Sequence, residues 1–133
     1  MKSIEVRSKV WLEVDGEPLL GEGRERLLRL IEQEGSISAA ARAMAIPYRK
    51  AWSYLENMES KLGFSLVERH KGGARGGRTT LTSEARSLLA RFDELKSGVQ
   101  AFVDGRFAEA FGGAADKRKS AKDLSPKVTP SPS

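Results

Sequence analysis

A mainly α-helical fold with a small β component is what this sequence predicts, and three observations predict it. Apolar residues recur at spacings of three and four through most of the chain, the period of an amphipathic helix. Alternating runs occur only near the N-terminus and on either side of one glycine-rich loop. Gly, Pro and Ser/Thr stand where one period gives way to the next, the places where elements start and stop. A chain of 133 residues suffices for one domain and a short tail.

Residues 4–14 place apolar side chains at 4, 6, 10, 12 and 14, interrupted at Ser8, which predicts a half-buried strand. Asp15-Gly16 supplies a tight hairpin turn, and Glu17–Leu20 a short return strand whose Pro18 favours an edge. Gly21-Glu22-Gly23 breaks this pattern. A first helix is expected over Arg24–Glu34, with Leu27, Leu28, Leu30 and Ile31 on one stripe and Gly35 as its stop. Ser38 is the preferred N-cap of a second, short helix through the Ala-rich run 39–45. Ile46-Pro47 ends it, because the residue before proline is driven out of the α region. A third helix should run from about Pro47 to Leu62, turning Ala51, Leu55, Met58 and Leu62 inward, and Gly63 closes it. Residues 64–69 and 78–81 read as paired strands. Between them lies the loop 70–77, with four glycines and two cations.

Thr82 is a plausible N-cap for a fourth helix over about 83–107. There Ala85, Leu88, Phe92, Leu95, Val99 and Phe102 recur at alternating spacings of three and four, the seam of a coiled coil or antiparallel pair. A helix of ~20 residues is about 30 Å long, more than so small a domain covers. A second copy of the chain is the expected cover for Leu88, Phe92, Leu95, Val99 and Phe102, with folding back on its own domain as the alternative. The domain is therefore placed at 1–111. Residues 112–133, rich in Lys, Ser and Pro, are expected to be a disordered basic tail.

Composition narrows the chemistry. The chain has no cysteine and one histidine, His70, to which no role is given. Thiolate metal sites, disulfides and the usual nucleophile–base pairs are excluded, so no catalytic residue, metal or cofactor is expected and the chain is read as a non-enzyme. The glycine-rich segment 72–77 lacks the Gly-Lys-Ser/Thr ending of a nucleotide loop and lies between strands. No apolar run approaches the ~20 residues that cross a bilayer, and the N-terminus has no secretion-signal core. A cytoplasmic location is expected, with no membrane partner.

Charge is unevenly placed. Residues 38–82 carry eight Lys/Arg against three Asp/Glu, and 112–133 carry five against two. The flanks are slightly acidic: six against eight over 1–37 and four against five over 83–111. Clustered positive charge of this kind is the footprint of phosphate contacts.

Short helix, tight turn, longer helix and two-stranded wing together make a winged helix-turn-helix. Its second helix fits the major groove of duplex DNA. The outward positions at the start of that helix are Tyr48, Arg49, Lys50, Trp52 and Ser53. Arg49 and Lys50 can donate to guanine and Ser53 to bases or phosphate. Trp52, beside Ala51 and Leu55 on the helical wheel, is expected to be part-buried, and Tyr48 either touches DNA or braces the turn. Lys71, Arg75 and Arg78 on the wing are placed to meet flanking phosphates, which position a module without specifying sequence. The other reading the residues leave open is a protein-interaction module on the same scaffold, with little DNA binding.

The stretch Gly35–Arg42, then Ile46-Pro47-Tyr48-Arg49-Lys50-Ala51-Trp52, resembles the N-terminal domain of ModE-type, molybdate-responsive regulators. So do Leu66-Val67-Glu68-Arg69, the paired glycines of 72–77, Leu81-Thr82 and the hairpin segment Lys9–Gly16. More distantly, the chain is similar to the DNA-binding domain of LysR-type regulators. The likeness covers about 4–103. It implies a dimeric, double-stranded-DNA-binding transcriptional regulator with recognition contacts at Tyr48, Arg49, Lys50 and Ser53. Fuller members of that family continue into molybdate-binding domains. This sequence leaves no room for them after its tail, so direct oxyanion sensing is not expected.

Overall fold

Four helices and two β-hairpins follow one another among the described residues, 3–72 and 77–112 of a computed structural model. In chain order they are β1 (Leu12–Val14), β2 (Glu17–Leu20), α1 (Glu22–Glu34), α2 (Ile37–Met44), α3 (Tyr48–Leu62), β3 (Val67–His70), β4 (Arg78–Leu81) and α4 (Ser83–Phe111). The chain divides into two compact units, Trp11–Arg91 and a second made of Met1–Val10 with Phe92–Ser133. The expected tail, from 113 onward, lies outside the described residues.

In the first unit, Asp15 and Gly16 both take positive φ (52° and 80°), the geometry that turns one twisted strand back on another. The strand expected over 4–14 pairs only at Leu12–Val14. Its mate is four residues long and gives way to Gly21 and α1, and the register slips between Leu12 and Glu13, which pair with Leu20 and Pro18 and bypass Leu19. Residues 4–11 have no neighbouring strand in this hairpin.

Helix α1 begins at Glu22, two residues before the expected start, and stops where Gly35 enters the left-handed region (φ 74°) and donates to the Ile31 carbonyl. Ser36, not Ser38, caps α2: its Oγ accepts the Ala39 N–H at 2.9 Å. Capping there makes Ile37 the first helical residue and turns it into the core, whereas Ser38 is left exposed on the first turn. Pro47 likewise stands just outside α3 as its N-cap, with extended ψ (146°), not inside it. Leu27, Leu28 and Ile31 of α1, Ala40 and Ala41 of α2, and Ala51, Leu55 and Met58 of α3 form the core with Leu20, Leu66, Leu81 and Ala85. The small alanines let α2 lie closely between α1 and α3.

Two carboxylates fasten the wing to this core. Glu59 of α3 accepts the Leu66 N–H at 2.8 Å, and Glu32 of α1 accepts the Leu81 N–H at 2.8 Å while holding Arg86 at 2.8 Å. The Leu81 N–H most of all holds the Glu32 carboxyl below its ordinary value; burial opposes it, and the Arg86 hydrogen bond with the charges of Arg86 and Arg78 adds to the lowering. Strand β3 starts at Val67, later than residue 64, because its partner ends at Leu81, opposite Val67. Thr82 then caps α4 as expected, accepting the Ala85 N–H at 3.1 Å and donating to the Ser65 carbonyl at 2.8 Å.

In the second unit, the Ser8 hydroxyl donates to Gln100 at 3.0 Å, and Gln100 donates to Asp104 at 2.9 Å. Of the expected seam, Phe92 is only 2% exposed within the single chain and so does not belong to an open face. Leu95 and Phe102 are 43% and 56% exposed, and Val99 is half-buried. Farther back, in the first unit, Leu88 is half-buried and its neighbour Leu89 takes the buried position. Phe107 and Phe111 stack at 4.9 Å between ring centroids.

Candidate nucleic-acid interface

The turn between α2 and α3 decides what α3 presents. Ala45 takes the left-handed conformation (φ 58°, ψ 42°). Its N–H donates to the Arg42 carbonyl at 3.0 Å and the Ile46 N–H to the Ala41 carbonyl at 3.0 Å. This is a Schellman closure made with alanine in place of the usual glycine, at a cost of roughly 1–2 kcal/mol. Pro47 then restores extended backbone, and its carbonyl accepts the Lys50 N–H at 3.0 Å to start α3.

With Ala51, Leu55 and Met58 buried, the periodicity of α3 leaves Tyr48, Arg49, Lys50 and Ser53 exposed. Arg49 and Lys50 have no carboxylate partner among the described residues; the Lys50 ammonium lies 5.9 Å from the Tyr54 ring centre. Tyr54 is half-buried, with Arg24 at 5.1 Å from its ring centre. Arg24 also donates to Asn57 at 2.9 Å and the Pro18 carbonyl at 3.0 Å, tying the first hairpin to α3. Trp52 is half-buried, as its wheel position implies. Tyr48 meets it edge-on, ring centres 6.4 Å apart and planes at 79°, yet remains about half exposed. Tyr48 therefore both braces the helix start and offers a free edge.

Between the start of α2, the start of α3 and the base of the wing lies an open hollow of about 590 Å³. Ser36, Ser38, Tyr48, Arg69, His70, Lys71, Arg78 and Thr79 line it with glycines and Ile37, and among the described residues no acidic one does. Lys71 is exposed at the start of the wing loop. Arg78 is exposed too, but its guanidinium lies over Gly35, where a Cβ would come within 3.1 Å of Nη1, and its charge acts on Glu32. It is less free than Lys71. Arg75 lies outside the described residues.

Three polar residues lining this hollow were not singled out from the sequence: Ser36, Arg69 and Thr79. Arg42 donates to the lining residue Ser38 at 3.3 Å. The Arg69 guanidinium lies 5.1 Å from the Trp52 ring centre. Strand alternation after Glu68 was the available signal for Arg69. His70 ends β3 and hydrogen-bonds to Thr80 at 2.9 Å. Among the described residues no helix is long and apolar enough to cross a membrane, and no group of three or more His, Asp or Glu is arranged to hold a metal ion.

Residues 25–86 match the family described as bacterial regulatory helix-turn-helix protein, lysR family. They are a LysR-family helix-turn-helix domain. Around this domain the chain is similar to the molybdenum transport protein ModE of Azotobacter vinelandii, 35% identical over 109 residues, covering 80% of this chain and 40% of that protein. It is 44% identical over 73 residues to the transcriptional regulator ModE of Haemophilus influenzae, covering 55% of this chain and 29% of the relative. It is 36% identical over 80 residues to the molybdenum-pterin-binding protein MopB of Rhodobacter capsulatus, covering 60% and 30%. The helix-turn-helix domain is thus ModE-like, and the chain spans well under half the length of these relatives.

Proposed function

We propose that this chain is a sequence-specific, double-stranded-DNA-binding transcriptional regulator of the ModE type, acting in the cytoplasm as a homodimer and without catalysis. The observation that carries this reading is the exposed first turn of α3 beside an acid-free, cation-lined hollow at the wing. The major groove of B-DNA admits one helix, and the N-terminal residues of that helix meet base edges. Arg49 and Lys50 are the donors suited to guanine O6 and N7, Ser53 adapts to a base or a phosphate, and Tyr48 offers its hydroxyl edge. Lys71, with Arg75 and Arg78 along the wing, attracts the adjoining phosphates and sets the register of the domain on the duplex.

The dimer is supported by the far part of α4. Leu95 and Phe102 are exposed seven residues apart, and Val99 lies between them. Gly98 and Gly105 intervene at the same period, and an added Cβ at either would meet nothing within 4 Å. Exposed apolar knobs alternating with empty positions suit a second helix of the same kind. Two recognition helices held in this way would read half-sites about one DNA turn, ~34 Å, apart.

Selection of bound duplexes from a random pool tests the proposal. The expected product is an enriched, roughly palindromic sequence with half-sites about 10 base pairs apart, centre to centre. A pool that stays random at low salt would reject the operator-reading role.

A further inference from the structure

Arg69 stands at the root of the wing with no part in the operator contacts given so far. In the β3–β4 ladder it is opposite Thr79, and its guanidinium carbon lies 5.1 Å from the centre of the Trp52 ring. Trp52 belongs to the second turn of α3 and meets Tyr48, the first residue of that helix, edge-on. One line of contacts, Arg69 over Trp52 and Trp52 edge-on to Tyr48, therefore joins the base of the wing to the start of the recognition helix. Arg69 is exposed and makes no ion pair with a carboxylate among the described residues. It borders the same hollow as Ser36, Ser38 and Lys71.

The chemistry of a stacked guanidinium gives this arrangement a use. Arginine rests the face of its plane on an aromatic ring and keeps its N–H donors, which lie in the plane, available to a second partner. Such a side chain is already ordered when the anion arrives, so less rotamer freedom is lost on binding. A lysine ammonium at this position would keep the charge but not the planar fork.

We propose that Arg69 is a phosphate-binding residue, oriented in advance by Trp52, whose ligand is a phosphodiester of the DNA backbone beside the recognition helix. This deepens the operator-binding role of the site and rests on it. Wing and recognition helix then engage the duplex as one piece, because the residue that holds the phosphate is braced on the helix that reads the bases.

The test is a salt titration of duplex binding by the full chain and its Arg69→Ala, Arg69→Lys and Trp52→Leu variants. Arg69→Ala should flatten the slope of log affinity against log salt by about 0.9 per protomer and weaken binding by at least about tenfold. Arg69→Lys should keep the slope and lose about two- to fivefold, the worth of an exposed cation–π contact. Trp52→Leu should resemble Arg69→Lys; should it fail to fold, the lysine variant alone carries the test of the platform. In a Trp11→Phe background the fluorescence of Trp52 should change on adding duplex and stay constant on adding inorganic phosphate at matched ionic strength. Wild-type slope and affinity in Arg69→Ala would overturn the proposal, and so would an Arg69→Lys protein indistinguishable from wild type. A response to inorganic phosphate alone would assign the stack to a free anion and also overturn it. If the wild-type chain itself binds duplex without salt dependence, the operator-binding role fails first and takes this proposal with it.

Discussion

The number of cations free to meet phosphate sets how steeply DNA binding should fall with salt. In the segment 38–82, Lys61 is paired with Glu17 at 3.2 Å, Arg42 donates to Ser38, and Arg78 lies over Gly35 with its charge acting on Glu32. Of the described cations Arg49, Lys50, Arg69 and Lys71 remain, each exposed and without a carboxylate partner among the described residues; Arg75 lies outside them, and phosphate contacts by it or by the less free Arg78 would steepen the slope further. If all four neutralise phosphates, the slope of log affinity against log salt is about −3.6 per protomer and about −7 for a dimer. If Arg49 and Lys50 face bases instead, the dimer slope is about −3.6. Between 50 and 200 mM salt these limits correspond to losses of roughly 10² to 10⁴ in affinity. Fluorescence anisotropy of a labelled duplex across that range measures the slope directly. Lys71→Ala should flatten it by about 0.9 per protomer on specific and unrelated duplexes alike. A wild-type slope shallower than about −1 would refute the reasoning, because these side chains would then not be meeting phosphates. The protein-interaction reading would be favoured in its place.

Arg49→Ala should cost about 1–3 kcal/mol on the preferred site and relax choice at one base position; equal losses on every sequence would make Arg49 a phosphate contact. Ser36→Ala removes the side-chain N-cap of α2 and should lower stability by about 1 kcal/mol, read as a melting point lower by roughly 3–5 °C; an unchanged transition would mean that solvent replaces the cap. Leu95→Asp and Phe102→Asp should give folded monomers by sedimentation, whereas Phe92→Asp should unfold the chain, since that ring is buried within it; an unchanged mass in the first two would rule out the α4 seam. Glu32 has its folded-state pKa below the ordinary value, so its contribution to stability is full above that value and disappears as pH falls through the lowered one. Denaturant midpoints should therefore drop on acidification below about pH 4.5 and drop less steeply in Glu32→Gln; identical acid profiles would show that Glu32 is not among the groups that drive the loss.

The helices were legible because each carries its own punctuation. Gly35, Gly63 and Thr82 stop or start elements where local chemistry demands, and the stripe of Ala51, Leu55 and Met58 fixes which side of α3 is inward. What local pattern could not convey was competition between adjacent candidates. Ser36 and Ser38 are equally good caps in isolation; burial of Ile37 between them selects the first. The strand expected over 4–14 has the right alternation apart from Ser8, but a strand extends only as far as its mate, and β2 is four residues long. Alternate spacing on α4 likewise could not say where the chain's own interior ends. The structure puts that boundary after Phe92, with Leu89 taking the buried position near Leu88.

The same division holds at the candidate DNA interface. Exposure of Tyr48, Arg49, Lys50 and Ser53 follows from one helical period and could be deduced from residues 47–62 alone. The cap of α2, the Trp52 platform and the hollow's freedom from acid depend on segments distant in sequence. Two of the three acids in 38–82 illustrate the point. Glu59 faces away to hold the Leu66 N–H, and Glu68 stands on β3 but does not line the hollow. A charge count weighs both against the cations, whereas the fold removes them from the surface that matters. The positive field at the start of α3 is therefore stronger than composition implies, and the origin of that strength is the wing's pairing, which sets Arg69 against Trp52 and leaves Glu68 out of the hollow.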